Sequence, residues 1–251
     1  NIIMKTAYIV KAYRTAVGKA PKGVFRFKRP DELAAETIQF MMNELPDFDK
    51  TRIDDVMVGN AMPEAEQGLN VGRLISLMGL KVTDVPGVTV NRYCASGLET
   101  IGMATAKIQS GMADCIIAGG AESMSFIPMG GYKPTPDYAV AAAGNEDYYW
   151  GMGLTAEAVA KQYSISREDQ DEFAFNSHQK ALKAQAEGKF DKQIVPITVE
   201  QTFINENGKK ETKTYTVSKD EGPRADTNIA ALGKLKPVFS KILTSHFFSF
   251  T

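Results

Sequence analysis

The chain has 251 residues, with 29 Lys or Arg, 30 Asp or Glu and a formal net charge of −1. This balance provides no overall field for nucleic acid or an anionic membrane, and the length suffices for a full hydrophobic core. Two cysteines exclude a disulfide framework, and two histidines leave few ligands for a metal site. Because no apolar stretch approaches the roughly 18 residues of a membrane span and no secretory signal is visible, we expect a soluble, cytoplasmic protein with free thiols.

The first 120 residues alternate strand-forming and helix-forming patterns across short loops. This order predicts βαβ units and a mainly parallel sheet, that is, an α/β fold. The predicted elements are a strand-forming segment at 5–12, a basic loop at 13–29, a helix from Asp31 to Pro46, a strand at 56–58, a helix at 69–80, a strand at 88–90, a helix at 96–111 and a strand at 114–118.

The pattern changes from about residue 124, where Pro, Gly and Tyr become frequent and the segment to Trp150 is irregular. A helix is predicted at 155–163, and Ser166 with Asp169 predicts the capped start of another that ends at Gly188. A strand is predicted at 193–200, followed by a hairpin turning at Asn207-Gly208. These elements indicate an α+β insertion that does not continue the first sheet.

Residues 240–251 place aromatic side chains, including Phe247 and Phe248, at the end of the sequence without a periodic element before them. Two interpretations stay open: a C-terminal strand that docks on the fold, or a chain that is cut short or altered at its end.

Cys94 is the strongest catalytic candidate. A buried strand runs through Val88–Val90 into a sharp turn, and a helix begins directly after the cysteine. Unpaired N–H groups at a helix start and the helix dipole both favour a thiolate, and a strand–turn–helix elbow exposes the nucleophile. Small residues around much of the following helix predict that it is buried on several sides. The alternative is that Cys94 is a small core residue.

Other candidates are weaker. Cys115 lies in an apolar strand and is predicted to be a core residue, so no zinc site is expected. Gly119-Gly120 lacks dinucleotide-fingerprint spacing and predicts a tight turn. His178 is predicted to be a solvated helix residue, and His246 lies in the terminal segment. The basic loop is predicted to be a solvated face, although an anionic ligand or partner subunit fits it too: Lys19, Lys22, Arg26, Lys28 and Arg29.

Several sequence blocks resemble the thiolase family, and within it the 3-ketoacyl-CoA thiolases (acetyl-CoA C-acyltransferases). The resemblance extends along most of the chain in the family's order. The blocks are Arg14-Thr15, Gly59-Asn60, Asn70–Arg73, Asn91–Leu98, Ala118–Ser125, Met152–Glu157, Ser166–Asp171 and Leu235–Phe239.

The resemblance implies a fold, a reaction and partners. Residues 1–123 would form the N-terminal half of a thiolase-like layered fold, residues 124–239 an α+β loop domain that holds CoA, and 240–251 an aberrant tail. Cys94 would take the acyl group from a 3-ketoacyl-CoA, releasing acetyl-CoA, and a second CoA would remove the acyl group from the sulfur. Met152, Gly153 and Thr155 would bind CoA, which is a substrate, so no cofactor or metal is implied.

The family further implies a homodimer or homotetramer that acts in fatty acid β-oxidation. Within the family, Met152–Thr155 resembles the degradative subgroup. Gly151 stands where biosynthetic acetoacetyl-CoA thiolases usually carry His, which favours use of a broader range of chain lengths.

The sequence departs from the family after Phe239. The second half-domain, with its Asn-Glu-Ala-Phe, Gly-His-Pro and Cys-x-Gly blocks, is absent from the sequence. We therefore expect a truncated or frame-shifted thiolase that is inactive alone. The alternatives are a catalytically silent fragment that dimerises or binds CoA, and a related 3-ketoacyl-carrier-protein or hydroxymethylglutaryl-CoA synthase; the loop-domain blocks argue against the synthases.

Overall fold

The computed structural model describes residues 5–239, which divide into two compact units. The first unit runs to Lys133 and also includes Phe190–Gly222; of the described residues, the second contains Pro134–Lys189 and 223–239. The second unit is thus inserted into the first in sequence. These units differ from the expected division at residue 123. That division assigns residues 190–222 to the loop domain, whereas they pack with the first unit. The division into a half-domain and a CoA-binding loop domain stays a prediction, and the tail at 240–251 lies outside the described residues.

The first unit contains three helices and three strands predicted from the sequence before residue 121, and a hairpin formed by residues after 190. In chain order its elements are β1 (Arg14–Thr15), α1 (Pro30–Asn43), β2 (Asp55–Gly59), α2 (Val71–Leu80), β3 (Gly87–Val90), α3 (Ser96–Gln109), β4 (Ile116–Gly120), β5 (Ile194–Val195), β6 (Ile197–Ile204) and β7 (Lys210–Val217). Short 3₁₀ turns at Lys50–Arg52 and Ala65–Gln67 join some of them.

The parallel sheet expected from the alternating pattern is confirmed. Strands β3, β2 and β4 lie side by side in that order, and both pairings are parallel. Helix α2 packs on β2 and β3 and against α1, while α3 packs on β2 and β4. The apolar side chains of α1, α2 and the sheet meet in one core: Ile38, Met42, Ile53, Val56, Val58, Val71, Ile75, Leu80 and Val85.

Two predictions about this unit are wrong. Residues 5–12 form no strand, and Tyr8, Ile9 and Val10 are about four-fifths exposed because no described strand pairs with them. Helix α3 is not buried on several sides. Its buried residues are Ser96, Thr100 and Ala104, which face the sheet, while Leu98 is 73% exposed. Among the described residues, no element covers the opposite face of α3.

A second core in the first unit joins the chain before α1 to the chain after residue 190. Strand β1 pairs in parallel with β5, and Pro196 separates β5 from β6. Strands β6 and β7 form the predicted hairpin, which turns at Gly208 with a φ of 72°. The buried members of this core are Ala16, Phe25, Ile194, Val195, Ile197, Val199 and Val217.

The loop after β1 is held by two consecutive carboxylates. The Arg14 guanidinium donates to both oxygens of Asp220, at 2.7 and 2.9 Å, and Asp220 also accepts from the Val17 N–H. Glu221 accepts from the backbone N–H groups of Lys19 and Val24. These bonds tie the loop to the segment that follows β7.

The hydrogen bonds from Arg14 hold the pKa of Asp220 below its ordinary value of 3.8. A carboxyl with a lowered pKa in the folded chain stabilises the fold above its unfolded pKa, and this contribution is lost as the pH falls through the folded pKa. We therefore expect Asp220→Asn to lower the free energy of unfolding by about 2 kcal/mol at neutral pH. The difference from the wild type should shrink on acidification.

Urea unfolding of both chains at neutral and acidic pH measures this difference. Asp114→Asn is the control, since Asp114 is 84% exposed in its ion pair with Lys5. A destabilisation by Asp220→Asn that is the same at both pH values would contradict the assignment.

The second unit is helical. Its elements are α4 (Tyr138–Ala142), a 3₁₀ turn at Glu146–Tyr149, α5 (Met152–Gln162), α6 (Arg167–Ala186) and α7 (Ile229–Gly233). The predicted capping box of α6 is confirmed: the Ser166 side chain accepts from the Asp169 N–H, and the Asp169 carboxylate accepts from the Ser166 N–H. Gly188 follows the helix with a φ of 66°, which fits the predicted C-terminal stop.

Candidate active site

The candidate site lies where the three parallel strands end. Gly59, at the end of β2, is paired with Val90 on one side and Gly120 on the other. The carboxyl ends of β2, β3 and β4 therefore form one edge, and Cys94 comes four residues after the end of β3. In α/β sheets, ligands bind at this edge.

The first turn of α3 lies directly on the sheet because glycines meet there. A Cβ at Gly59 would lie 2.4 Å from the Ser96 carbonyl carbon and 2.5 Å from the Gly97 nitrogen. A Cβ at Gly120 would lie 3.4 Å from the Gly97 Cα. The Thr100 hydroxyl donates to the carbonyl oxygens of Gly97 and, at 3.0 Å, of Gly119. The prediction of a tight turn at Gly119-Gly120 is wrong: both residues lie in β4, and Gly120 provides room for the helix.

A sharp turn carries the chain from β3 into α3. The Ala95 N–H donates to the Arg92 carbonyl at 3.1 Å, and Tyr93 has a φ of 47°, in the left-handed region. The buried Ser96 hydroxyl accepts from the Arg92 N–H at 2.8 Å and donates to the Tyr93 carbonyl. The elbow predicted around Cys94 is therefore present, with a strained residue directly before the cysteine.

Cys94 is exposed and free, and its sulfur has no hydrogen-bond partner among the described residues. It lies just before the start of α3, where the first N–H groups of a helix lack intrahelical acceptors and favour negative charge. The guanidinium of Arg92 is bound by the Glu99 carboxylate, at 2.9 and 3.1 Å. The position leaves the Cys94 sulfur open to a substrate at the edge of the sheet.

Beside this elbow, hydrogen bonds among polar groups connect the segments that follow β2 and β4. The sequence interpretation missed these bonds. The Glu122 carboxylate accepts from the Ala61 N–H and from the side-chain amide of the fully buried Gln67. Gln67 in turn accepts from the Ser123 N–H at 2.6 Å and donates to the Met62 carbonyl. The available signal was an acidic residue two positions after the Gly-Gly end of a strand.

Cys115 differs from Cys94 in its surroundings. It precedes β4 and packs, half-buried, against the core of α1, α2 and the sheet. Burial raises the pKa of the Cys115 thiol, and the nearby Asp54 carboxylate adds to this effect. The prediction that Cys115 is a core residue is confirmed, and the thiol form is favoured there.

The residues predicted to bind CoA all lie at the start of α5, in the second unit. Met152 is 63% exposed and is the first residue of the helix. A Cβ at Gly153 would lie 2.2–2.8 Å from the Phe239 ring, so this glycine allows the aromatic side chain to pack on the helix. The Thr155 hydroxyl donates a hydrogen bond of 3.5 Å to the Gly151 carbonyl. Their role in CoA binding stays a prediction.

The second unit also contains a small cavity of about 110 Å³ that the sequence interpretation missed. The Arg224 guanidinium at this cavity lies 3.5 Å from the Asp226 carboxylate. The walls thus combine charged groups with aliphatic side chains: Arg224, Asp226, Thr227, Ala231, Leu232 and Leu235.

His178 is less solvated than predicted. It is half-buried on α6, and its Nδ1 accepts a hydrogen bond from the Arg224 N–H at 3.1 Å. This bond gives His178 a structural role beside the cavity residue Arg224. His246 lies outside the described residues.

The basic loop is partly neutralised by neighbouring carboxylates. Lys28 forms ion pairs with Glu32 and Glu36, and Arg29 pairs with the buried Asp31 at 2.9 Å. Two of its five cations thus anchor the start of α1. Within residues 5–239, no group of three or more His, Cys, Asp or Glu is placed to hold a metal ion. No helix in the same range is both long and apolar enough to cross a membrane.

Comparison with known proteins matches nearly the whole chain to members of one family. It is 50% identical over 238 residues to a 3-ketoacyl-CoA thiolase of Bacillus subtilis (strain 168), a match that covers 94% of this chain and 60% of the relative. It is 38% identical over 250 residues to a beta-ketoadipyl-CoA thiolase of Acinetobacter baylyi, again covering 94% of this chain and 60% of the relative.

A solved structure agrees with these matches. The crystal structure of the Bacillus anthracis acetyl-CoA acetyltransferase superposes with a TM-score of 0.76 at 31% identity, covering 95% of this chain and 60% of that chain. The chain thus spans about 60% of the length of the relatives it matches. The family model described as "Thiolase, N-terminal domain" matches residues 7–245, and the chain therefore belongs to the thiolase family.

Proposed function

We propose that this chain supplies the nucleophile of a 3-ketoacyl-CoA thiolase reaction, with Cys94 as the nucleophile. The observation that supports this proposal most is the exposed, free cysteine directly before the N-terminus of α3, at the carboxyl edge of a parallel sheet. The similarity to proteins named 3-ketoacyl-CoA thiolase gives the substrate class.

The proposed chemistry is covalent catalysis. The Cys94 thiolate attacks the ketone carbonyl of a 3-ketoacyl-CoA, and the bond between the carbonyl carbon and the neighbouring carbon breaks. The departing acetyl-CoA enolate takes a proton, leaving a shortened acyl thioester on Cys94. A second CoA thiol then takes this acyl group and restores the free cysteine.

The proton transfers of this reaction require a base and an acid, and the sequence around Cys115 and His178 does not place them in those roles. Cys115 is packed in the core, and His178 is bound to the Arg224 N–H. We propose that these groups come from the 40% of the thiolase length that lies beyond the match, and that this chain alone turns over slowly or not at all. A silent CoA-binding or dimerising chain is then the alternative function.

The proposed function is tested by measuring acetoacetyl-CoA thiolysis, as loss of the substrate, in two proteins: the 251-residue chain and a chimera. The chimera joins residues 1–239 to the C-terminal part of the Bacillus subtilis relative that this chain does not cover. We expect turnover by the chimera and little by the chain alone. A well-folded chimera without thiolysis would contradict the proposed reaction, and turnover by the chain near that of an intact thiolase would contradict its dependence on the second half. Product analysis separates a thiolase from a 3-ketoacyl or hydroxymethylglutaryl-CoA synthase.

We further propose that the second unit binds CoA at the start of α5 and at the Arg224 cavity. A guanidinium pairs with phosphate and stacks on a planar base, and CoA offers both groups. The Met152, Gly153 and Thr155 segment would contact CoA elsewhere along its length. The proposed oligomer is a homodimer or homotetramer in the cytoplasm, with fatty acid β-oxidation as its setting.

Replacing Arg224 by alanine is expected to weaken CoA binding to the chimera by roughly tenfold, since a charge-assisted contact is lost. Titration calorimetry with CoA measures the dissociation constant. Lys180→Ala, on the exposed part of α6 in the same unit, is the matched loss of a cation. Equal affinities of the Arg224 variant and the wild type would exclude this cavity as part of the CoA site.

A further inference from the structure

The turn that presents Cys94 is held from outside the helix by one side chain. Asn91 follows β3 directly and lies three residues before the cysteine. Its Oδ1 accepts from the Tyr93 N–H at 2.9 Å, and its Nδ2 donates to the Ala61 carbonyl at 3.1 Å. The side chain therefore bridges the strained residue before Cys94 and the loop after β2.

The partner of Asn91 on the β2 side is itself fixed. The Ala61 N–H donates to the Glu122 carboxylate at 2.6 Å, and Glu122 also binds the fully buried Gln67. A chain of hydrogen bonds thus runs from the end of β4 through Ala61 and Asn91 to the backbone of Tyr93. These hydrogen bonds therefore connect the elbow after β3 to the segments that follow β2 and β4.

Tyr93 needs such support because of its conformation. Its φ of 47° lies in the left-handed region, which is unfavourable for a residue with a side chain because Cβ approaches the following carbonyl oxygen. Tyr93 is also 68% exposed, so packing contributes little to holding it. An Asn side chain bonded to the N–H two residues on stabilises a turn of this kind.

We propose that Asn91 is a positioning residue, which keeps Tyr93 left-handed and so holds the exposed Cys94 in its place directly before the first turn of α3. Its importance for acyl transfer rests on the proposed function, whereas its effect on Cys94 does not. Loss of the Asn91 bonds lets Tyr93 relax toward a negative φ, which moves Cys94 from its exposed place before the start of α3.

The test compares the rate of Cys94 alkylation by iodoacetamide in the 251-residue chain and its variants, with the modified cysteine identified by mass spectrometry. Asn91→Ala is expected to slow Cys94 alkylation roughly fivefold to tenfold. Asn91→Ala combined with Tyr93→Gly should recover the rate to within about twofold of the wild type, because glycine adopts a positive φ without strain.

Asn70→Ala is the matched control. Asn70 also has a positive φ, donates to the Gly87 carbonyl and accepts from the Thr89 hydroxyl, but it lies directly before α2 and makes no bond to the elbow. We expect it to lower the free energy of unfolding without slowing alkylation. An unchanged rate in Asn91→Ala, or a double variant as slow as Asn91→Ala, would overturn the proposal.

Amide hydrogen exchange on the wild-type chain tests the proposal even where a variant fails to fold. The Tyr93 N–H should exchange slowly despite the exposure of its residue, since Asn91 accepts its hydrogen bond. Exchange at the rate of an unprotected peptide would overturn the proposal. If the chimera fails in thiolysis while glycine restores Cys94 reactivity, the proposed function fails and the positioning role stands.

Discussion

Replacement of Cys94 by alanine is expected to abolish thiolysis by the chimera, with a loss of at least roughly a thousandfold. Cys94 is the exposed thiol directly before α3, whereas the Cys115 thiol is packed against the core and is less accessible to an acyl group. Incubation of the unsubstituted chimera with acetoacetyl-CoA should also give an acyl adduct on Cys94, detected by mass spectrometry and absent from the variant.

Cys115→Ala is the control for this experiment. Its removal takes away a half-buried thiol whose pKa burial raises, so we expect thiolysis to be retained and alkylation of the chain to lose only its slow component. Retained activity in Cys94→Ala would show that Cys94 is not the nucleophile. Loss of activity in a well-folded Cys115→Ala chimera would show that the second thiol takes part in the reaction.

Substitution of Gly59 by alanine is expected to lower the free energy of unfolding by roughly 3 kcal/mol and to slow Cys94 alkylation. The new Cβ would lie 2.4 Å from the Ser96 carbonyl carbon and 2.5 Å from the Gly97 nitrogen. Both atoms belong to the backbone, so no side-chain rotation relieves the overlap. The first turn of α3 must move away from β2, and the elbow moves with it.

Gly119→Ala is the matched control, because this glycine also lies at a strand end but a Cβ there would meet no atom within 4 Å. Urea unfolding gives the stability of each variant, and iodoacetamide alkylation gives the reactivity of Cys94. If Gly59→Ala were as stable and as reactive as Gly119→Ala, the close approach of α3 to β2 would not position the elbow.

The sequence was sufficient to predict the parts of the fold that local chemistry determines. The Ser166 and Asp169 side chains identify the start of α6, Asn207-Gly208 identifies the hairpin turn, and the apolar run before Gly59 identifies β2. The alternation of these patterns then predicts parallel pairing. Cys94 could be found in the same way, because a strand, a turn and a helix follow one another within a few residues.

The remaining features depend on contacts between distant segments. No local pattern shows that Gly59 and Gly97 touch, or that Glu122 and Gln67 are bonded. The composition of α3 indicates burial on several sides, yet Leu98 is exposed, because burial requires a neighbour and none is described on that face. Residues 5–12 fail as a strand for the same reason. The positive φ of Tyr93 follows from a hydrogen bond of Asn91 that only the folded turn reveals.

The pairing of β1 with β5 has a consequence for how the chain folds. Thr15 and Val195 are partners although 180 residues separate them, and the hairpin that completes this core ends at Val217. During synthesis, Ala16 and Phe25 therefore lack their buried partners on β5, β6 and β7 until more than three-quarters of the 251 residues have been made. Contacts of such long range slow folding and prolong the exposure of apolar surface. Helices α4, α5 and α6 of the second unit are made before β5, whereas α7, which packs against α6, is made only after the last residues of the first unit.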